Sequence, residues 1–282
     1  MSYNIEGDIV FEENDLVIVL NDPHKIVYKI SKIINDNVEI VGYRNRTKLK
    51  IDINSLQKAP IELIDACHKI DNKYKSSFRK TRNKSKKYLF GRILHIDGDK
   101  DYLESCLELY EEAGVKVTGI YMNEKELPNY IELIIEKITP DIVVITGHDI
   151  YNGKDIKEIS NYENSETFGQ SIRIIRKHFS NTVIIAGACG SHYEYLIGQG
   201  ANFASSPGRI NIHTFDPAVT AIKVASTPLN KMVDYNSIIK YIENGKEAIG
   251  GIETYGKMKI IYWGIYEINI SSKIEFNIKG NR

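Results

Sequence analysis

The chain has 282 residues, of which 42% are hydrophobic and 26% are charged. These are ordinary values for a globular protein, so they exclude bulk disorder, and the length exceeds that of a lone small module. Lys and Arg together number 37, as do Asp and Glu. The formal net charge of zero excludes a global basic field that would draw the chain onto nucleic acid.

The three cysteines are too few for a disulfide framework, and none of them stands in a C-x-x-C spacing. We therefore expect a reducing compartment, no metal site and no cofactor. The first ten residues lack a basic stretch followed by an apolar one, which is the mark of a signal peptide. No apolar run approaches the roughly 20 residues of a membrane span. We expect a cytosolic protein with no membrane span.

Residues 1–60 consist of short β-rich runs, for example LVIVL and NVEIVGY, which are separated by Asn-Asp and Asp-Pro turn signals. Four or five short strands in so few residues predict a small SH3-like β-barrel domain. Such a barrel either binds a peptide or another domain, or only decorates the domain that follows.

Residues 61–87 form a basic segment. Between Lys69 and Lys87 there are nine Lys or Arg residues and one acid, Asp71. A run of this kind is typical of a solvated linker or of an exposed helix face. Tyr74 and Phe78 have the i, i+4 spacing that would anchor a helix. Aromatic side chains for base stacking are sparse, so we expect no nucleic-acid partner.

Residues 88–282 alternate between apolar strands and helical stretches. The strands are rich in Ile and Val without alternation, which indicates a parallel sheet that is buried on both faces. Repeated βα units predict a doubly wound α/β domain, with a final hairpin that has no assigned place. The predicted helices are Lys100–Ala113, Glu124–Ile138, Ser165–Phe179, Ser191–Gln199, Pro217–Ala225 and Tyr235–Asn244.

Functional groups of a parallel sheet gather beyond the carboxyl ends of its strands. His148 follows the third predicted strand and Cys189 follows the fourth. An imidazole and a thiol at one edge are the minimum for a cysteine nucleophile activated by histidine. Gly187 and Gly190 permit a tight turn that presents the thiol and exposes backbone N–H groups for an oxyanion hole. We expect the positive end of the next helix to lower the pKa of the thiol.

Several other side chains are weaker candidates for the chemistry. His192 is the rival base, but its place on the following helix points it away from the strand ends. Ser205 and Ser206, after the fifth strand, are secondary candidates. Cys67 and Cys106 lie in the basic segment and on a helix, and we expect both to be inert thiols.

The run VVITGHD followed by VIIAGACGS resembles the caspase-like clan of cysteine peptidases, which includes gingipain and clostripain. In that clan an apolar strand ends in the catalytic His, and the next strand ends in Ala-Cys, the nucleophile. The resemblance implies an oxyanion hole formed by the backbone N–H groups of Cys189, Gly190 and Asp149. Asp149 stands where the clan usually has Gly.

A closer resemblance, to the YabG family of sporulation-specific proteases, covers nearly the whole chain. It is carried by GRILHIDGD, YLESCLELYEEAGV, PDIVVITGHD, IIAGACGSHYEYLIGQGANFASSPGRINIHTFDP and GGIET. The resemblance implies that His148 is the general base, that Cys189 is the nucleophile and that an SH3-like region precedes a caspase-like peptidase domain. It also implies cleavage of spore coat and cortex-associated proteins, and of germination-protein precursors in clostridia. The protein would then act in the cytoplasm of the sporulating cell or in association with the spore.

The side chain that meets the substrate residue before the scissile bond (P1) follows the first strand in caspase-like enzymes, and it is Asp in the arginine-specific members. Here that place holds Asp97 and Asp99. A carboxylate matches a guanidinium bidentately, so we expect Arg at P1. We assign Asp97 to the P1 pocket and Asp99 to the cap of the following helix. Such an enzyme would also meet Arg79 and Arg82 in its own basic segment, which predicts self-cleavage there.

Two alternatives do not involve proteolysis. A receiver-like signalling domain also follows its first strand with an acidic pair, as Asp97 and Asp99 do. It needs a phosphoacceptor Asp at the end of the third strand, where this chain has Thr146 and Gly147. The other alternative is a catalytically inactive scaffold with a peptide-binding barrel.

Overall fold

The computed structural model describes residues 10–79 and 88–261. Near the start of the described chain, five strands form an antiparallel sheet with the spatial order β4-β3-β2-β1-β5. Alternate apolar residues such as Ile30 and Ile40 pack into a small core of its own. The predicted strand content is thus confirmed, while closure into an SH3-like barrel stays a prediction. The strands are β1 (Leu16–Val19), β2 (Tyr28–Ile34), β3 (Asn37–Gly42), β4 (Lys48–Asp52) and β5 (Leu56–Lys58).

The basic segment is helical over α1 (Ile61–Arg79). Tyr74 and Phe78 are buried and join the main core, as their i, i+4 spacing allows, which explains why this segment is a helix and not an open linker. Residues 80–87, which include Arg82, lie outside the described residues.

A six-stranded sheet with the order β12-β11-β10-β9-β7-β8 forms the larger unit. Its strands are parallel except for β12, which pairs antiparallel with β11. The strands of this part of the chain are β6 (Tyr88–Leu89), β7 (Ile93–Asp97), β8 (Val117–Tyr121), β9 (Ile142–Thr146), β10 (Val183–Ala186), β11 (Phe203–Ser205), β12 (Ile249–Gly251) and β13 (Lys259–Ile260).

Helices cover both faces of this sheet, as the sequence predicted for a doubly wound α/β domain. Val144 on β9 faces one core, and its neighbour Val143 faces a second core on the opposite side. The first core is covered by α1, α2 and α6, and the second by α3, α4 and α5. The helices are α2 (Lys100–Ala113), α3 (Leu127–Ile138), α4 (Ser165–His178), α5 (Tyr193–Gly198), α6 (Asp216–Ser226) and α7 (Tyr235–Ile239).

Several element boundaries differ from the prediction; for example, α3 begins at Leu127 and not at Glu124, which lies in a short 3-10 turn. α5 begins at Tyr193, because Gly190 has a left-handed backbone and the His192 side chain accepts the N-terminal capping bond. α7 ends at Ile239, short of the predicted end. Of the predicted final hairpin, β13 pairs with β6, and residues 262–282 lie outside the described residues. Over the described ranges, no helix combines the length and the apolar character that a membrane crossing requires.

Candidate functional site

His148 and Cys189 reach the same edge of the larger sheet, because they follow the neighbouring parallel strands β9 and β10. The turn at the thiol has the predicted tight geometry, since φ is 104° at Gly187 and 67° at Gly190. Both values lie in the left-handed region that favours glycine. His148 is 8% exposed and Cys189 is 4% exposed. Within the described residues no hydrogen bond joins the two side chains, and each contacts a third group instead.

The thiol of Cys189 lies against the backbone of Ile212. Its Sγ accepts a hydrogen bond from the Ile212 N–H at 3.2 Å and lies 3.7 Å from the Ile212 carbonyl oxygen. Burial raises the pKa of Cys189 to about 11, although the Ile212 N–H, the Thr47 hydroxyl and Arg46 act to lower it. The prediction of a lowered pKa is therefore wrong for this arrangement. α5 is only six residues long and begins at Tyr193, so its dipole does not offset the burial.

Three groups hold His148. Its Nε2 lies 3.1 Å from an Asp99 carboxylate oxygen, and its Nδ1 lies 3.4 Å from the backbone carbonyl oxygen of Arg46. Its backbone N–H donates to Oε1 of Glu124 at 2.7 Å. A Cβ at Gly147 would meet that Oε1 at 2.3 Å, so glycine is required for this approach. Glu124 was not among the residues predicted for the site, although it shortly follows β8 and belongs to the same set of strand-end residues.

Asp99 has two roles at once. One carboxylate oxygen caps α2 by accepting from the backbone N–H groups of Asp101 and Tyr102, as predicted. The other oxygen faces His148. Burial alone would raise the pKa of Asp99, but the hydrogen bond and the charge of His148 lower it below its ordinary value. An ionised Asp99 is therefore in place to orient the imidazole.

Asp97 is fully buried and already holds a guanidinium group. Its Oδ2 lies 2.7 Å from Nη2 of Arg46, which is also fully buried, and accepts from the Thr146 hydroxyl at 2.8 Å. Burial would raise the pKa of Asp97, but Arg46 and His95 hold it well below its ordinary range. Arg46 comes from the loop between β3 and β4 and was missed by the sequence analysis. The available signal was the basic turn RNRTK after a predicted strand.

The side chain of Asp149 braces the loops around the site. Its buried carboxylate accepts from the Asn164 N–H at 2.8 Å, from the Ser191 hydroxyl at 3.0 Å, and from the Ser165 hydroxyl. Burial raises the pKa of Asp149 above its ordinary value. These contacts connect the loop after β9 to the turn after β10. The contribution of the Asp149 N–H to an oxyanion hole stays a prediction.

The other candidates have structural contacts. The Ser206 hydroxyl accepts from the Gly190 N–H at 3.2 Å and donates to a backbone carbonyl, and Ser205 donates to the carbonyl of Gly187 at 3.3 Å. His192 caps α5 and lies 3.3 Å from a carbonyl oxygen in the loop before α4. Burial raises the pKa of Cys106 to about 12, which fits an inert thiol. Cys67, on α1, is partly exposed, and burial raises its pKa too.

The position that a receiver domain needs for phosphoryl transfer is occupied by a different type of side chain. Thr146, at the end of β9, donates to Asp97 and contacts His95 at 2.9 Å. A threonine hydroxyl in this buried network replaces the carboxylate that would accept the phosphoryl group. The contacts therefore give the receiver alternative no support.

Two solved structures resemble the chain only weakly. The receiver domain of the histidine kinase CKI1 from Arabidopsis thaliana matches with a TM-score of 0.27 and 14% identity, over 46% of this chain and 82% of that one. A nucleoside-diphosphate sugar epimerase from Corynebacterium glutamicum matches with a TM-score of 0.29 and 9% identity, over 63% of this chain and 46% of that one. Similarity at this level supports no conclusion about function.

Sequence comparison is far more specific. The chain is 42% identical over 175 residues to the sporulation-specific protease YabG of Bacillus subtilis (strain 168), and the match covers 60% of each protein. The profile of the family described as YabG peptidase U57 matches residues 12–262, which include both sheets and every candidate site residue. The chain belongs to the YabG peptidase U57 family.

Proposed function

We propose that this protein is a cysteine endopeptidase of sporulating cells that cleaves polypeptides after arginine. The observation that carries the proposal is the convergence of three groups at one sheet edge. The thiol of Cys189 follows β10, the imidazole of His148 follows β9, and the guanidinium-binding carboxylate of Asp97 ends β7. A nucleophile, a base and a counter-ion for an arginine side chain are the parts that the reaction requires.

In the proposed reaction His148 takes the proton of the Cys189 thiol, and the sulfur attacks the carbonyl carbon of the P1 arginine. Backbone N–H groups of Cys189 and Asp149 stabilise the resulting oxyanion, and the Gly190 N–H joins them only if it leaves the Ser206 hydroxyl, to which it donates in this structure. The peptide C–N bond then breaks, and the amine leaves with the proton that His148 returns. Water hydrolyses the thioester, which releases the new carboxyl terminus and restores the thiol.

Asp99 and Asp97 supply orientation and selectivity in this scheme. Asp99 accepts from Nε2 of His148 and so directs the other ring nitrogen toward the bound peptide. Asp97, which is fully buried, binds the guanidinium of the substrate, and a charge-assisted pair there discriminates strongly against uncharged residues. The proposed caspase-like arrangement and the SH3-like character of the N-terminal sheet rest on the family resemblance.

The proposed substrates are proteins of the spore coat, the cortex and the germination machinery, processed in the sporulating cell or on the spore. The sporulating cell is proposed from the name of the Bacillus subtilis relative, and the substrate classes are what the family resemblance implies. Because the match covers 60% of that relative, we propose its activity for this chain and do not transfer it outright.

The test is incubation of the purified protein with a library of Arg- and Lys-containing peptides, followed by mass spectrometry. We expect cleavage after Arg by the wild type, none by Cys189→Ala or His148→Ala, and no effect of EDTA. Cleavage by Cys189→Ala, or zinc-dependent activity, would contradict the proposal. Failure of an arginyl chloromethyl ketone to label Cys189 would favour the inactive scaffold.

A further inference from the structure

The loop Tyr43–Thr47, between β3 and β4, lies at the candidate site and pairs through its backbone with residues 212–214. The Thr214 N–H donates to the carbonyl of Arg44 at 3.2 Å, and the Arg46 N–H donates to the carbonyl of Ile212 at 3.4 Å. Asn45 and His213, between these pairs, form an antiparallel bridge. The loop therefore pairs through backbone hydrogen bonds with residues 212–214 beside the thiol, as peptide ligands do when they bind by β-augmentation.

The side chain of Arg46 occupies the pocket that the proposed function assigns to a P1 arginine. Its Nη2 lies 2.7 Å from Asp97 and donates to the carbonyl of Thr214 at 3.3 Å. The guanidinium carbon lies 5.3 Å from the centre of the Tyr102 ring, whose hydroxyl donates to the Asn45 carbonyl at 2.6 Å. One segment of the N-terminal sheet thus fills the charged pocket and is tied to its rim.

The backbone of Arg46 contacts one proposed catalytic group directly and approaches the other through Ile212. The Arg46 carbonyl oxygen is 3.4 Å from Nδ1 of His148. Ile212 connects the loop to the thiol, because its N–H donates to Sγ of Cys189 at 3.2 Å and its carbonyl accepts from the Arg46 N–H at 3.4 Å. With Arg46 at P1, Thr47 takes the position directly after the scissile bond.

Arg44, two residues before Arg46, meets a second acidic side chain. Its Nε lies 2.5 Å from the carboxylate of Asp71, which is buried on α1. The other oxygen of Asp71 lies 3.2 Å from Nε2 of His213, so the carboxylate lies beside the residue that bridges to the loop at Asn45. A peptide in the same register would place its P3 side chain against Asp71.

We propose that the loop Tyr43–Thr47 is an internal occupant of the substrate cleft, with Arg46 at P1 and Arg44 at P3. The cleft then favours peptides with a basic residue at P3 as well as Arg at P1, and they enter only when the loop leaves. This inference rests on the proposed function, which identifies the cleft as the substrate-binding site. The Arg46 side chain is incompletely hydrogen-bonded in this pocket, because its Nε and Nη1 are buried without a partner among the described residues.

Whether the loop blocks access to the thiol is tested by alkylating Cys189 with iodoacetamide in the folded protein and following the reaction by mass spectrometry. Arg46→Ala should react at least about tenfold faster than the wild type. Without the Arg46 side chain in its pocket, the state in which the loop has left the cleft and the thiol is accessible is no longer a minor one. Lys50→Ala is the matched control, since Lys50 is a basic residue of the same hairpin with a side chain 70% exposed. An unchanged rate in folded Arg46→Ala would overturn the proposal.

A second variant tests the same point in case Arg46→Ala does not fold. A Cβ at Gly42 would lie 2.5 Å from the Asn45 carbonyl oxygen, so Gly42→Ala displaces the loop without altering a side chain that contacts the site. It should also accelerate alkylation of Cys189. Circular dichroism and thermal melting establish which variants are folded. If folded Gly42→Ala reacts like the wild type, the loop does not cover the thiol.

Selectivity is tested with peptides of the pattern Arg-Ala-Arg and Glu-Ala-Arg before a fluorogenic leaving group. The ratio of their kcat/KM values should favour the first by at least about tenfold and should fall toward one in Asp71→Asn. An unchanged ratio would overturn the P3 assignment. If the loop variants expose Cys189 but no arginyl peptide is cut, the proposed function fails and the loop assignment stands. If the wild type and Arg46→Ala cut arginyl peptides equally fast and Cys189 is alkylated equally fast in both, the proposed function stands and the loop assignment fails.

Discussion

The carboxylate of Glu124 accepts a 2.7 Å hydrogen bond from the backbone N–H of His148, and both residues are buried. This bond fixes the backbone of the proposed base and not its ring. Glu124 is therefore a positioning residue.

Glu124→Ala should lower kcat by about tenfold to a hundredfold, because small displacements of a catalytic group are costly. Glu124→Gln keeps an acceptor oxygen and should recover most of the rate. Steady-state kinetics with an arginyl peptide separate kcat from KM, and exposed Glu126→Ala is the control. Equal kcat in Glu124→Ala and the wild type would show that the bond does not position His148.

Asp97→Asn should lower kcat/KM for arginyl peptides by about a hundredfold, since an amide cannot neutralise a buried guanidinium. Reactivity toward a small thiol reagent should fall far less, because Asp97 binds the substrate and does not form the thiolate. If Asp99→Asn shows the selective loss instead, the two roles are reversed.

If neither Asp97→Asn nor Asp99→Asn lowers kcat/KM for arginyl peptides, the acid of the P1 pocket would have to be another carboxylate, such as Glu194 or Asp216. Glu194 is exposed and pairs with Arg209, while Asp216 is buried and accepts from the Tyr74 hydroxyl at 2.9 Å. Neither carboxylate contacts Arg46 among the described residues.

Alkylation of Cys189 should depend steeply on pH in the wild type. With a pKa of about 11, the thiol is mostly protonated at neutral pH. The thiolate fraction, and with it the alkylation rate, should rise about tenfold per pH unit between pH 7 and 10. In unfolded protein the rate should level off above about pH 9, near the ordinary value for cysteine. A plateau below pH 9 in the native protein would contradict the burial of the thiol.

Self-cleavage in the basic segment stays a prediction. Arg79 is the last residue of α1, and its guanidinium pairs with Glu112 at 3.0 Å, so cleavage after it requires that helix end to open. Arg82 lies outside the described residues. New N termini at Lys80 or Asn83 in the wild type, absent from Cys189→Ala, would support self-processing. Identical termini in both would indicate a contaminating protease, and intact active enzyme would contradict the prediction.

Local pattern was sufficient to predict much of the fold. α2 begins and ends as expected, since Asp99 caps its start and Gly114, with a φ of 68°, ends it. The buried strands β9 and β10 were evident from unbroken runs of Ile and Val, and their adjacency followed from the βα order.

The contacts between the two sheets could not be predicted in the same way. Arg46 and Asp97 meet only because the N-terminal sheet packs over the end of the larger one, and no local periodicity encodes that packing. The pKa of Cys189 was wrongly predicted for the same reason, since its burial depends on Ile212 and on the loop at Thr47.

The central claim is that Cys189 and His148 form the catalytic pair of an arginine-directed peptidase. The most direct measurement is intact and peptide mass spectrometry after treatment with an arginyl acyloxymethyl ketone, beside the aspartyl analogue. We expect one adduct on Cys189 in the wild type, faster formation in Arg46→Ala, and none in His148→Ala. The aspartyl reagent should react little. An adduct on another residue, or equal labelling by both reagents, would show that Cys189 and His148 are not an arginine-directed catalytic pair.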